Sequence, residues 1–104
     1  MASDLDYVQY VIDQIKTHGT ITYKKMFGEY LIYINSKPIV MVCDNTAFVK
    51  MLDCIKHLME NAETGFPYEG AKEHYIVNVD DSEYLSNVVA ILEKNVPVPK
   101  KRKK

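Results

Sequence analysis

The hydrophobic period of the chain changes sharply at Gly19. Before it, Leu5, Val8, Ile12 and Ile15 recur three or four residues apart with Val11 beside them, which is one apolar stripe of a helix. After it, β-branched and aromatic residues gather into short runs that predict strands at 22–27, 30–34, 39–43 and 47–50. These runs are separated by Gly28-Glu29, Asn35-Ser36-Lys37-Pro38 and Asp44-Asn45, all turn-forming and all too short for a crossover helix. Strands joined in this way must run antiparallel, so the stretch folds as a four-strand meander, with Gly28 permitting a bulge or tight turn.

The flanks are helical. A first helix at 4–18 takes Ser3 as its N-cap and Asp4 and Asp6 in its first turn, and Gly19 after Lys16 and His18 is its stop. A second helix at 53–62 has Asp53 as its cap and Ile55, Leu58, Met59 and Ala62 on one face. Two glycines and a proline make 63–72 a surface loop, and a last strand at 74–79 ends at Asp80-Asp81. Ser82 then caps a helix at 82–95 with Leu85, Val88, Val89 and Leu92 as its buried stripe. The resulting order is helix, four-strand antiparallel meander, helix, strand, helix, an α+β fold of two layers with the helices mainly on one face of the sheet. One domain spans 1–96, and Pro97-Val98-Pro99 leads into a disordered basic tail over 97–104.

A chain of 104 residues with 47% hydrophobic and 26% charged residues is a single folded domain and not a disordered one. No apolar run approaches the roughly 18 residues of a membrane span, and the polar, acidic start is unlike a secretory signal, so the expected compartment is the cytoplasm. The net charge of −1 hides an asymmetry: five of the 13 basic residues are Lys100, Lys101, Arg102, Lys103 and Lys104, against 14 acidic residues elsewhere. An acidic body is a poor nucleic-acid surface, so candidate nucleic-acid contacts reduce to that tail and to Lys24 and Lys25. Five charges on a flexible end either tether phosphates weakly and without sequence preference or simply keep the chain in solution.

Catalytic chemistry has little support in the pattern. Cys54 and His57 lie three apart, with Cys43 and His74 on strands, but closed zinc sites need paired ligands at both ends. No phosphate-binding glycine loop, dinucleotide fingerprint or nucleophile elbow occurs, and Asp80-Asp81 is a turn and helix start. Two cysteines in a cytoplasmic domain do not make a disulfide framework. The expectation is a non-enzymatic protein without metal or cofactor. Tyr23, Lys24, Lys25, Phe27, Tyr30 and Tyr33 mix basic and aromatic residues as sheet-face RNA binders do, yet no RNP motif accompanies them, and strand aromatics pack sheets in any case. Strands 30–34 and 39–43 are apolar on both sides, and three short helices seldom cover both faces. A partly apolar second face or an exposed edge therefore calls for a protein partner or a second copy, with Tyr23, Tyr33, Tyr68 and Lys72 as the candidate interaction surface.

The string Ile21-Thr-Tyr-Lys-Lys-Met-Phe-Gly-Glu-Tyr30 resembles the N-terminal domain family of TfoX (Sxy), regulators of bacterial natural competence. The likeness continues through Ile32-Tyr33, Val42-Cys43-Asp44-Asn45, Phe48-Val49-Lys50, Pro67-Tyr68-Glu69-Gly70-Ala71-Lys72 and Tyr84-Leu85, nearly the whole chain. Departures are Leu31 for a frequent Gly, Glu73-His74 for a Pro, and Tyr84 for a Trp. The resemblance implies a compact α+β domain, no catalytic residues, and a role in regulating transcription or competence through protein contacts. In full-length members a helical, DNA-binding-like domain follows and the protein works with the cyclic-AMP receptor protein; this chain reads as a standalone first domain.

Overall fold

The computed structural model describes residues 5–17, 19–26, 29–67 and 69–96. The expected Ser3 cap, His18, Phe27 and Gly28, Tyr68 and the tail from 97 to 104 lie outside those residues. The elements are α1 (Leu5–Gln14), β1 (Ile21–Met26), β2 (Glu29–Ile34), β3 (Lys37–Cys43), β4 (Thr46–Val49), a 3₁₀ helix (Asp53–Leu58), β5 (Thr64–Gly65), β6 (His74–Ile76) and α2 (Ser82–Asn95). The class is α+β. All pairings are antiparallel, in a six-stranded sheet of order β1-β2-β3-β4-β6-β5.

The meander forms because its hairpins are as tight as hairpins can be. Asn35 and Ser36 both take positive φ (52° and 69°), as do Asp44 and Asn45 (52° and 53°). Two left-handed residues in a row are the backbone of a type I′ loop, whose twist matches that of the strands, and Asn and Asp tolerate that conformation better than other side chains. Register then follows, with Ile32 against Val40, Tyr30 against Val42 and Val42 against Ala47. Between Ile32 and Tyr33 it slips by one, leaving Ile39 as the extra residue of a bulge. Pro38, which has no N–H to give a ladder, sits beside that bulge and beyond the reach of β4.

Four sequence expectations fail for identifiable reasons. The first helix ends at Gln14 and not at 18, because its last carbonyl is taken from outside. Ser82 donates to it at 2.6 Å and Ser86 at 3.3 Å, while the Lys16 N–H turns to Ser86 Oγ at 2.8 Å. Gly19 is thus not a left-handed helix stop; it is small because a Cβ there would stand 2.6 Å from the Asn35 side chain. The second helix is a six-residue 3₁₀ turn, entered at Leu52 without a side-chain cap, so Asp53 is no cap. A segment that short has too few hydrogen bonds to hold a full α-helix. The supposed loop contains β5, with Thr64 opposite Tyr75 and Gly65 opposite His74, and the last strand covers His74–Ile76 because its β4 partners, Phe48 and Val49, reach only Ile76 and Tyr75. The final helix has the expected bounds, but Asp81 and not Ser82 caps it, accepting from the Tyr84 N–H at 3.1 Å, while the Ser82 hydroxyl is spent on the Gln14 carbonyl.

The core gathers Val8, Val11 and Ile15 from the first helix and its exit, Ile55 and Met59 from the 3₁₀ turn, and Leu85, Val88, Val89 and Leu92 from α2 against Ile32, Ile34, Val40, Val42, Ala47 and Val49 of the sheet. One polar clasp closes it. Lys37 Nζ donates to the Glu93 carbonyl at 2.6 Å, in the open last turn of α2, and lies 3.4 Å from Glu93 Oε2. A cation there meets the negative end of the helix dipole. The Asn35 amide holds the Glu93 carboxyl below its ordinary value of 4.5; desolvation opposes it, and the Lys37 charge and hydrogen bond add to the lowering.

Lys37→Met should lower stability by about 1 kcal/mol, the worth of one hydrogen bond to a helix-end carbonyl. The Glu93 effect has a definite sign. A carboxyl whose folded pKa is depressed adds stability above its unfolded value and loses it as pH falls through the folded one. Glu93→Gln should therefore melt below the wild type near neutral pH, with the difference closing as acid takes both proteins below the carboxylate range. Thermal denaturation across pH measures both.

Candidate interaction surface on the sheet

Residues opposite one another in an antiparallel ladder point to the same side, so the register sorts the sheet into two faces. The inner face packs on the helices. Across the outer face one row runs Lys24, Leu31, Met41, Phe48 and Ile76. Tyr33 lies on that face beside Thr22, and Cys43 opposite Thr46. None of Leu31, Tyr33, Met41, Cys43, Phe48 or Ile76 belongs to the core cluster. Leu31, Tyr33, Met41 and Ile76 are half-buried, whereas Phe48 and Cys43 are buried. The β5 backbone lies against Phe48: a Cβ on Gly65 would stand 3.4 Å from Phe48 Cε2 and 3.3 Å from Ile76 Cδ1, so a bare glycine lets the chain approach both side chains.

The expected basic and aromatic cluster is divided by this geometry. Lys24 faces outward with Leu31, while Lys25 shares the inner side with Tyr30. Tyr23 also lies on the inner side, 40% exposed, with its ring edge-on to Tyr30 at 5.9 Å between centroids. Tyr33 is on the opposite face from Tyr23, so these two do not form one surface. Lys72 is exposed in the chain leading to β6, where its carbonyl accepts from His74 Nδ1 at 2.7 Å. Tyr68, Lys100, Lys101, Arg102, Lys103 and Lys104 lie outside the described residues. The residues that sequence reasoning missed are Met41, Phe48 and Ile76; strict alternation from Leu31 through the register was the signal that joins them.

A cleft of about 530 Å³ opens between the 3₁₀ turn, β6 and the start of α2, lined by His57, Glu60, Glu63, Asn78, Asp81 and Tyr84 among others. The Tyr84 hydroxyl spends its polarity on the protein itself, reaching the Leu58 carbonyl at 3.0 Å and Met59 Sδ at 2.8 Å. Burial, and then the nearby Asp81 charge, push its pKa up, so it remains a neutral donor. Among the described residues no three His, Cys, Asp or Glu side chains come together as a metal site, and no helix is long and apolar enough to cross a membrane.

Both cysteines are free. Burial, and then the Glu29 carboxylate, push the Cys43 thiol up to about 11. Since the thiolate is the reactive form, Cys43 should resist alkylation in the native protein near neutral pH and label readily only in denaturant. Mass spectrometry of the labelled peptides reads this directly; fast native labelling of Cys43 would show that the outer face is open at that point.

No family model matches the sequence, and no solved structure matches it. The chain is 32% identical to the "uncharacterized 12.7 kDa protein in trpE 5′ region" of Spirochaeta aurantia, over 105 aligned positions that take in 99% of this chain and 91% of the other. With that identity sustained from end to end, the chain belongs to the same family as the spirochaete protein.

Proposed function

We propose that the protein is a non-enzymatic, cytoplasmic domain of the TfoX N-terminal kind that acts through protein contacts, in regulation of transcription or competence. In this reading it is a two-layer domain over 1–96 with its helices on one face of the sheet, followed by a basic tail. The observation that carries the reading is the outer row in which half-buried Leu31, Met41 and Ile76 flank the buried Phe48, apolar across four strands and outside the core cluster. Contiguous apolar surface on a sheet face marks an interaction site, because water is a poor neighbour for it. The TfoX resemblance supports the same reading, since its motifs fall on β1 to β4 and on the chain around β5.

The second reading uses Lys100 to Lys104 as a weak, sequence-blind tether for nucleic acid. The two separate in one comparison. Complexes recovered on the tagged protein from its native cell, with and without nuclease, are set beside those recovered on Met41→Glu and on a chain lacking 100–104. Protein complexes that survive nuclease and are lost in Met41→Glu are the expected result. Complexes that nuclease releases, and that vanish with the tail, would replace the first reading by the second.

A further inference from the structure

The Asn35 N–H donates to the Thr20 carbonyl at 2.8 Å, which makes Thr20 and Asn35 a hydrogen-bonded pair at the end of the β1–β2 ladder. Bonded and non-bonded pairs alternate along an antiparallel ladder, and this one is unbroken from Ile21↔Ile34 to Met26↔Glu29. The peptide groups of Thr22 and Lys24 therefore face β2, and the N–H and C=O groups of Ile21, Tyr23 and Lys25 face the other way. On that side β1 ends the sheet, so no described strand receives them. The opposite end is closed by β5, only two residues long. β1 thus offers the longer free edge, six residues without proline.

We propose that this edge binds an extended acidic segment of another protein, which adds to the sheet as a further antiparallel strand. The occupant is selected by charge. Lys24 and Lys25 are exposed, on opposite faces of the same edge, and among the described residues neither forms an ion pair. A second copy of β1 is disfavoured there. Two-fold pairing that overlaps most of the strand centres on Tyr23, Lys24 or Lys25. Centred on Lys24 or Lys25 it sets lysine against lysine, and centred on Tyr23 it puts the two Lys24 side chains on adjacent diagonal sites of one face. Like charges across a ladder repel, and lysines on edges keep sheets apart for that reason. Carboxylates opposite both positions turn the same charges into attraction. Read from its N-terminus, the added strand carries an acid opposite Lys25, an acid opposite Lys24, an apolar residue opposite Tyr23, any residue opposite Thr22 and an apolar residue opposite Ile21. Main-chain bonds supply affinity and alternate side chains supply choice, as in other strand-addition sites. The site is on the edge and not on the outer face, so it does not rest on the sheet-face reading.

The probe is a labelled peptide containing Glu-Glu-Val-Thr-Val, followed by fluorescence anisotropy on the intact chain. Saturable binding is expected, weakening as salt rises, with a Lys-Lys-Val-Thr-Val peptide about tenfold weaker or worse. The Lys24→Glu/Lys25→Glu double variant should reverse that preference, which a merely unfolded variant could not do. Backbone pairing is read by N-methylation. Methyl on the first valine, whose N–H points at the Tyr23 carbonyl, should cost about tenfold or more, and methyl on the threonine, whose N–H points away, about twofold at most. Met41→Glu should leave peptide binding intact, which separates this site from the sheet face. Absence of binding, equal binding of the two charged peptides, or equal loss from both methyl groups would overturn the proposal.

Discussion

Side chains along a strand alternate with a period of two, so the one extra residue at Ile39 reverses the face of everything between it and the turn. Two constraints meet there. The two-residue Asn35-Ser36 loop sets Ile34 opposite Lys37, while the apolar pattern sets Ile32 opposite Val40 and Tyr30 opposite Val42. These registers differ by one residue, and the bulge absorbs the difference. Extended without the bulge, the apolar register would leave a single residue for the turn and send Lys37 to the outer face, away from α2. With it, Lys37 shares the side of Ile34 and reaches the Glu93 carbonyl. The clasp on α2, the burial of Val40 and Val42 and the composition of the outer row are consequences of the same slip.

The helices are then fixed to one another by polar groups. The Gln14 carbonyl accepts from two serines of α2, and the Gln14 amide donates to the Val79 carbonyl at 2.7 Å. Tyr10 donates to Asp80 Oδ1 at 2.7 Å on the exposed side of the same junction. Helix ends leave carbonyls without partners, and here the partners come from a segment about seventy residues away in sequence. The contacts also orient α1 against α2, which apolar packing alone leaves free to rotate. Val8 and Val11 of α1 and Leu85 and Val88 of α2 consequently face the same core.

Much of this was readable from the residues, and the rest has physical reasons for being hidden. The bounds 82–95 of the last helix followed from its stripe and from the prolines after it, and the meander followed from connections too short to cross over. The end of α1 was hidden because what ends it is the pair of serines on α2. β5 was hidden because two residues have no period, and its pairing is visible only once β6 is in place. For the candidate surface, alternation along β1 already implied that adjacent lysines part to opposite faces; what it could not supply was which of them shares a face with Leu31. That needed the ladder, and with it Met41, Phe48 and Ile76 joined the row.

Lys24 and Lys25, neighbours in sequence and alike in charge and exposure, therefore differ in position. Lys24 heads the outer row and also stands on the free edge, so it borders both proposed contacts. Lys25 projects to the helix side next to Tyr30 and borders the edge alone. A strand added beside β1 would lengthen the outer row by one residue, set directly against Lys24, and would place the next residue against Lys25 on the far side. Edge and face are in this way continuous through one side chain. Lys24 thus belongs to both surfaces by position, whereas Lys25 belongs to the edge alone.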